Sequence, residues 1–362
     1  MPISIRSGLL SVPVLAFPGQ AGNPVGFAAA PGYPGSLTAS SGPFTSGSVN
    51  NPTIIAFKDF DAGVSSTNID ANWVTFIGCR FQSNNVNGNC VSSGSTGAQN
   101  VNFSYCSFVP RVALVGTAPP GINTWPSSGA GTGAFAQAGW ITGTNCIDGN
   151  NGYQFSFDCH NLTDGPLTWD HCDFWGFGNS INFIGHTAQM IVRDCWIHDA
   201  RNGASPPLSD HTDGPGYLNG GLPPQNIWLD HNTIASIGSQ NGIAWQGGTS
   251  AYSGMKVTRN FISGFNTAVT LYQGSGTNSN LEFTDNVLGT DLPWVNFPIT
   301  EVFADWTSPN GIWRRNILRV LAGTSPAAGN QWGINWTSVD NGKFLLPNVN
   351  TTVTLSTIDY TG

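Results

Sequence analysis

All six histidines of the chain (His160, His171, His186, His198, His211 and His231) fall in one stretch of about seventy residues. Asp158, Asp164, Asp170, Asp173, Asp194, Asp199, Asp210, Asp213, Asp230, Arg193 and Arg201 stand in or beside it. Only 9% of the chain is charged, so acid–base chemistry would be placed here. Two carboxylates flanking a sugar bond can act as acid and as base or nucleophile in hydrolysis. Aspartates can instead hold Ca²⁺ against a uronate carboxylate while a base removes the neighbouring proton. The bland alternative is that opposite charges on neighbouring strands simply pair.

The composition says which elements position these groups. The 362 residues include 46 Gly, 23 Pro and only 12 Lys plus Arg, with no helical runs of Leu, Glu, Lys and Ala. Yet 40% are hydrophobic and 13 are Trp, ample for a core. The Gly and Asn then serve tight turns that need positive φ. A net charge of −8 without any basic run argues against nucleic acid or an anionic membrane as partner. No apolar stretch approaches a membrane span. Met1 to Phe17 has the outline of a signal peptide, interrupted by Pro13.

A loose repeat runs from Thr53. Segments such as Asn72–Gln82, Asn100–Pro110, Gly165–Trp175, Gln189–Asp199, Asn226–Ser236, Gly254–Gly264 and Asn280–Thr290 share an apolar–x–apolar strand, two polar residues, then Cys or Asn. Gly311–Leu321 fits about one residue out of step. The Cys or Asn falls at Cys79, Cys106, Cys172, Cys195, Asn232, Asn260, Asn286 and Asn316, mostly 23 to 30 residues apart, with gaps of 66 and 37. The longer gaps hold insertions or an unrecognised coil. A second short strand precedes several segments, as at Ser180–Ile184, Gly242–Gln246 and Ala268–Gln273. This period predicts an all-β chain, a right-handed parallel β-helix whose stacked coils share one core. Asn at the repeated turn builds a hydrogen-bonded ladder, and Cys fills the same inward place. The seven Cys contain no CxxC pair and read as buried structural thiols.

With that register, Asp170, Arg193 and Asp230 lie two residues before the ladder position, and His171, Asp194 and His231 one before it. Coils about 4.8 Å apart gather these six into one patch. The insertion between Cys195 and Asn232 should emerge beside it, carrying His198, Asp199, Asp210, His211 and Asp213. The catalytic candidates are therefore Arg193, His198, Asp199, Asp210, His211, Asp213 and His231. Ca²⁺ would take Asp170, Asp194 and Asp230; no organic cofactor is expected. Trp245-Gln246 and Tyr272-Gln273 occupy equivalent places on successive coils, with Tyr217 before and Trp306 after. Rings recurring once per coil suit stacking on sugars; alternatively they point inward as core.

Trp169-Asp170-His171 and Trp228-Leu229-Asp230-His231 resemble the W-[IV]-D-H signature of pectate lyases, in which the Asp lies at the Ca²⁺ site. The R-x-P-x-x-R stretch of that family is not found downstream. Thr212-Asp213-Gly214 resembles part of the polygalacturonase N-T-D-G, with His211 in place of Asn, but the D-D pair, G-H-G and R-I-K are missing. Residues 53–323 are similar to the broad pectin-lyase-like superfamily, which includes lyases, glycosidases and phage tailspikes.

The resemblance implies a protein that acts on or binds a polysaccharide, extracellularly or on a virion surface. The alternative is a non-catalytic phage tail component recognising a host glycan. Residues 1–52 are read as a Pro/Gly-rich arm or cap, and 324–362 as a C-terminal cap or attachment segment. Either end could join a larger assembly, and a homotrimer is open.

Overall fold

The computed structural model describes residues 26–63, 65–83, 89–93, 97–110, 155–159, 165–175, 179–183, 188–198, 214–217, 225–235, 241–245, 251, 253–263, 267–271, 278–289, 297–300, 311–314 and 317–318. Their strands form three sheets of ten, eight and nine strands, and every pairing between them is parallel. The chain visits the nine-stranded, ten-stranded and eight-stranded sheets in turn and then repeats, which is a three-faced parallel β-helix.

What the sequence pattern presents as one strand through the ladder position is two strands. Leu167–Asp170 lies in the nine-stranded sheet and Asp173–Trp175 in the ten-stranded one. Between them the backbone turns through a left-handed residue. This position carries positive φ on eight coils: Phe57, Gly78, Tyr105, His171, Asp194, His231, Arg259 and Asp285. At Gly78 an added Cβ would sit 2.8 Å from the Ala30 Cβ, so only glycine fits there. The corner is fixed by amides reaching to the next coil, as from Tyr105 to the Asp170 carbonyl and from His231 to the Thr258 carbonyl, both at 2.9 Å.

The ladder follows directly and is a hybrid of thiol and amide. Asn232, Asn260 and Asn286 donate through Nδ2 to the carbonyls of Val192, Leu229 and Val257. The thiols of Cys79, Cys106 and Cys172 reach the equivalent carbonyls of Ile55, Phe76 and Phe103 at 3.4 to 3.6 Å, and Cys195 lies 3.6 Å from that of Trp169 and 3.1 Å from that of Arg193. All four are free and buried, so they are structural thiols, and they are donors as well as fillers. Burial pushes the Cys106 and Cys195 thiols well above their ordinary range.

Inside, residues two apart on one strand face the core together. Phe60, Phe81, Phe108 and Phe174 stack at 5.0, 5.1 and 4.7 Å between neighbours, close to the strand spacing. Phe76, Phe103 and Trp169 stack beside them. Later coils replace the rings with Val192, Leu229, Ile234, Val257 and Ile262. Phe44 sits edge-on against Phe60 and Phe76 and covers the first coil.

The long intervals contain insertions and no extra coil. Gln99–Ser104 pairs directly with Leu167–Asp170, and Met190–Arg193 directly with Ile227–Asp230. Ile317 pairs with Val287, and Gly311–Arg314 with Leu281–Thr284. The last coil is therefore in step with the others.

Candidate functional site

The register places Asp170, Arg193 and Asp230 side by side at the ends of three adjacent strands. His171, Asp194 and His231 follow in the left-handed corner. These six groups converge on the outer corner between the nine- and ten-stranded sheets. Five consecutive corner positions, His171, Asp194, His231, Arg259 and Asp285, carry ionisable side chains in a conformation that costs a non-glycine residue about 1 kcal/mol or more.

Only part of the pairing follows the column of Asp170, Arg193 and Asp230. Arg193 Nη2 donates to Asp170 at 3.1 Å. His171 Nδ1 lies 2.7 Å from the other Asp170 oxygen, and the Tyr105 ring stacks on its imidazole at 4.7 Å. His231 Nδ1 reaches back one coil to Asp194 at 2.5 Å. Asp230 is taken by the following coil: Arg259 grips both its oxygens, at 2.9 and 2.5 Å, and the Thr258 hydroxyl donates at 2.7 Å. With its side chain 7% exposed, Asp230 belongs to that fork. Ca²⁺ wants six to eight oxygens, several from carboxylates. In the Asp170, Asp194 and Asp230 set, Arg193 and Arg259 already hold oxygens of Asp170 and Asp230 and would compete with a cation for them.

Arg259 was missed because the columns were compared over three coils only; it occupies the same place before Asn260 on the fourth. Trp228, which opens the second Trp…Asp-His segment, is a further residue of this corner. It is half-buried on the outer face of the nine-stranded sheet, and its indole N–H donates to Thr258 at 2.9 Å.

Trp245 needs correction as a sugar-stacking residue. It shares the inward face with Ile243, is 1% exposed, and packs against Phe183 at 6.0 Å. It also pairs with Leu271, so Trp245 and Tyr272 are not equivalent. Asp199, Asp210, His211, Asp213, Gln246, Tyr272, Gln273 and Trp306 lie outside the described residues, as do the side chains of His198 and Tyr217. His198 ends the strand Trp196–His198. The described chain therefore ends at the C-terminal end of an interior strand of the ten-stranded sheet, about 10 Å along the chain from the patch.

Burial pushes the Asp170 carboxyl up, but hydrogen bonds from His171 and Arg193 outweigh this and hold it below 3.8. The hydrogen bond to Asp170 holds His171 above 6.5, against the opposing effect of burial. A raised imidazole contributes stability that is full below its unfolded value and is lost as pH rises through the folded one. For Asp170 the contribution is present above 3.8 and lost as pH falls through the lowered value. The stability difference between the wild type and His171→Ala, measured by urea unfolding with chelator, should therefore shrink as pH rises from about 6 to about 9. A constant difference would contradict the pair.

Among the described residues, no helix is long and apolar enough to cross a membrane. No protein-family model matches the chain, and no curated protein or solved structure matches it either.

Proposed function

We propose that this chain is a carbohydrate-active β-helix that binds an extended polysaccharide along the outer corner and cleaves it by elimination. The observation that carries the reading is the His231–Asp194 pair beside Arg193. Asp194 accepts from His231 Nδ1–H, which leaves Nε2 as a base directed away from its partner. Arg193, 49% exposed, is available to neutralise a uronate carboxylate. His231 takes the proton from the carbon next to that carboxylate. The electron pair forms a C=C bond as the bond to the glycosidic oxygen breaks, and water protonates the departing oxygen. No step uses Ca²⁺.

Supporting this, the coil spacing of about 4.8 Å is close to one sugar repeat, and half-buried Trp228 offers an indole face beside the columns. The resemblance of the two Trp…Asp-His segments to pectin-lyase-like proteins points the same way, including action outside the cell or on a virion.

One observation favours a second reading, a non-catalytic adhesion component. Asp170, Asp194 and Asp230 all have ion-pair partners, as in a corner whose charges serve the fold. The test is incubation with a panel of acidic polysaccharides, following ultraviolet absorbance of unsaturated ends and new reducing ends. Runs with and without chelator separate this chemistry from a metal-assisted one. Unsaturated product is expected, and His231→Ala should lower kcat by about a hundredfold or more with the fold intact. Glycan binding with neither product would establish adhesion and sink the elimination.

A further inference from the structure

We propose that residues 26–33 form a strap that closes one end of the glycan path, so that the protein engages a polysaccharide from its chain end. This role rests on the outer corner being that path, as proposed above. The strap runs along the same corner, against the direction in which the coils are added. The Gly26 amide donates to the His171 carbonyl at 2.9 Å, and the Phe27 amide to the Ser107 hydroxyl at 3.3 Å. The Arg80 guanidinium lies over the Phe27 ring, 5.6 Å from its centre. Tyr33 packs on Phe27 at 5.6 Å and on Phe57 at 6.2 Å. Four consecutive corner positions, Phe57, Gly78, Tyr105 and His171, are spanned in this way.

The fit is close, and glycine permits it. A Cβ on Gly26 would meet the Ser107 Oγ at 2.3 Å and the Asp173 Cβ at 2.9 Å. Its φ of 82° is also one that other residues rarely adopt. Further along, Ala30 is buried against Gly78. A sugar chain cannot share space that the strap already fills. The next four corner positions, Asp194, His231, Arg259 and Asp285, continue beyond the strap. There the side chains of Arg193, His231 and Arg259 are 49%, 37% and 45% exposed. The strap thus covers the corner up to His171, and the accessible charged groups follow. A polysaccharide running along the corner is stopped at Gly26, and such a clash selects as effectively as a contact.

Spacing then limits the length of the fragment. His171 and His231 are two coils apart, about 10 Å. About two sugar units fit between the end of the strap and the proposed base. Cleavage therefore removes a short fragment from a chain end and does not open the polymer in its middle.

The test counts bound proteins per glycan chain, using the full-length His231→Ala variant, which lacks the proposed base. Short and long size fractions of polygalacturonate, alginate and hyaluronate serve as probes, read by analytical ultracentrifugation. One protein per chain is expected at saturation, whatever the chain length. Adding Gly26→Val, which should drive the strap off His171, is expected to raise the count to several on the long fraction. Circular dichroism checks that this variant folds, and the count with the strap intact decides even if it does not. Several proteins per long chain with the strap intact would overturn the wall. So would an unchanged count in a folded Gly26→Val variant, or no binding to any of the probes. The elimination is judged separately, by whether the wild type yields unsaturated ends. Where it does, the first products should be about two sugars long; long first products would sink the wall and leave the elimination standing.

Discussion

Asn260→Leu should destabilise the protein by about 4 kcal/mol, while Asn260→Cys should cost less than half as much. Asn260 is fully buried. Its Nδ2 donates to the Leu229 carbonyl at 2.9 Å, and its Oδ1 accepts from the Asn232 amide at 2.9 Å. Leucine has the bulk but neither function, and strands a backbone carbonyl and a backbone N–H in the core. Each such orphan costs about 1–3 kcal/mol. A thiol can serve both, because Cys195 already does so in the same column. Its sulfur accepts from the Cys172 amide at 3.3 Å, and its S–H has two carbonyls in reach, Arg193 at 3.1 Å and Trp169 at 3.6 Å. Urea unfolding of the two variants measures the contrast. Equal losses would mean that the Cys half of the ladder is only filler.

Removing the arginine from the Asp230 fork is the second large effect. Arg259→Met leaves a carboxylate 7% exposed, with the Thr258 hydroxyl its remaining hydrogen-bond donor among the described residues. An uncompensated charge of this kind costs about 3 kcal/mol. Removing both charges with Asp230→Leu and Arg259→Met together should return stability to within about 1 kcal/mol of wild type, since the desolvation penalty disappears with the pair. A double variant as unstable as the sum of the singles would show that the two residues act separately. Thermal and urea unfolding of the four proteins closes the cycle.

These expectations rest on a column that was already visible in the sequence. The spacing of Cys79, Cys106, Cys172, Cys195, Asn232, Asn260 and Asn286 follows from the physics of stacked coils, in which each turn must repeat to satisfy its neighbour. That spacing also puts Asp170 beside Arg193, and His171 beside Asp194 and His231. The alternation of Ile243 and Trp245 was legible too, but whether that face turns inward depends on what the eight-stranded sheet packs against.

The sequence alone determined the parallel β-helix, the ladder and the gathering of six ionisable residues, because all three depend on a local pattern repeated at a fixed period. Only the tertiary structure decided the partners. Side chains at the corner lean along the helix axis, so which coil a charge reaches depends on a left-handed backbone and on Arg259 arriving from the fourth coil. That reach assigned Asp230 to Arg259, left Asp194 to His231, and brought His171 rather than Asp230 next to the remaining carboxylates.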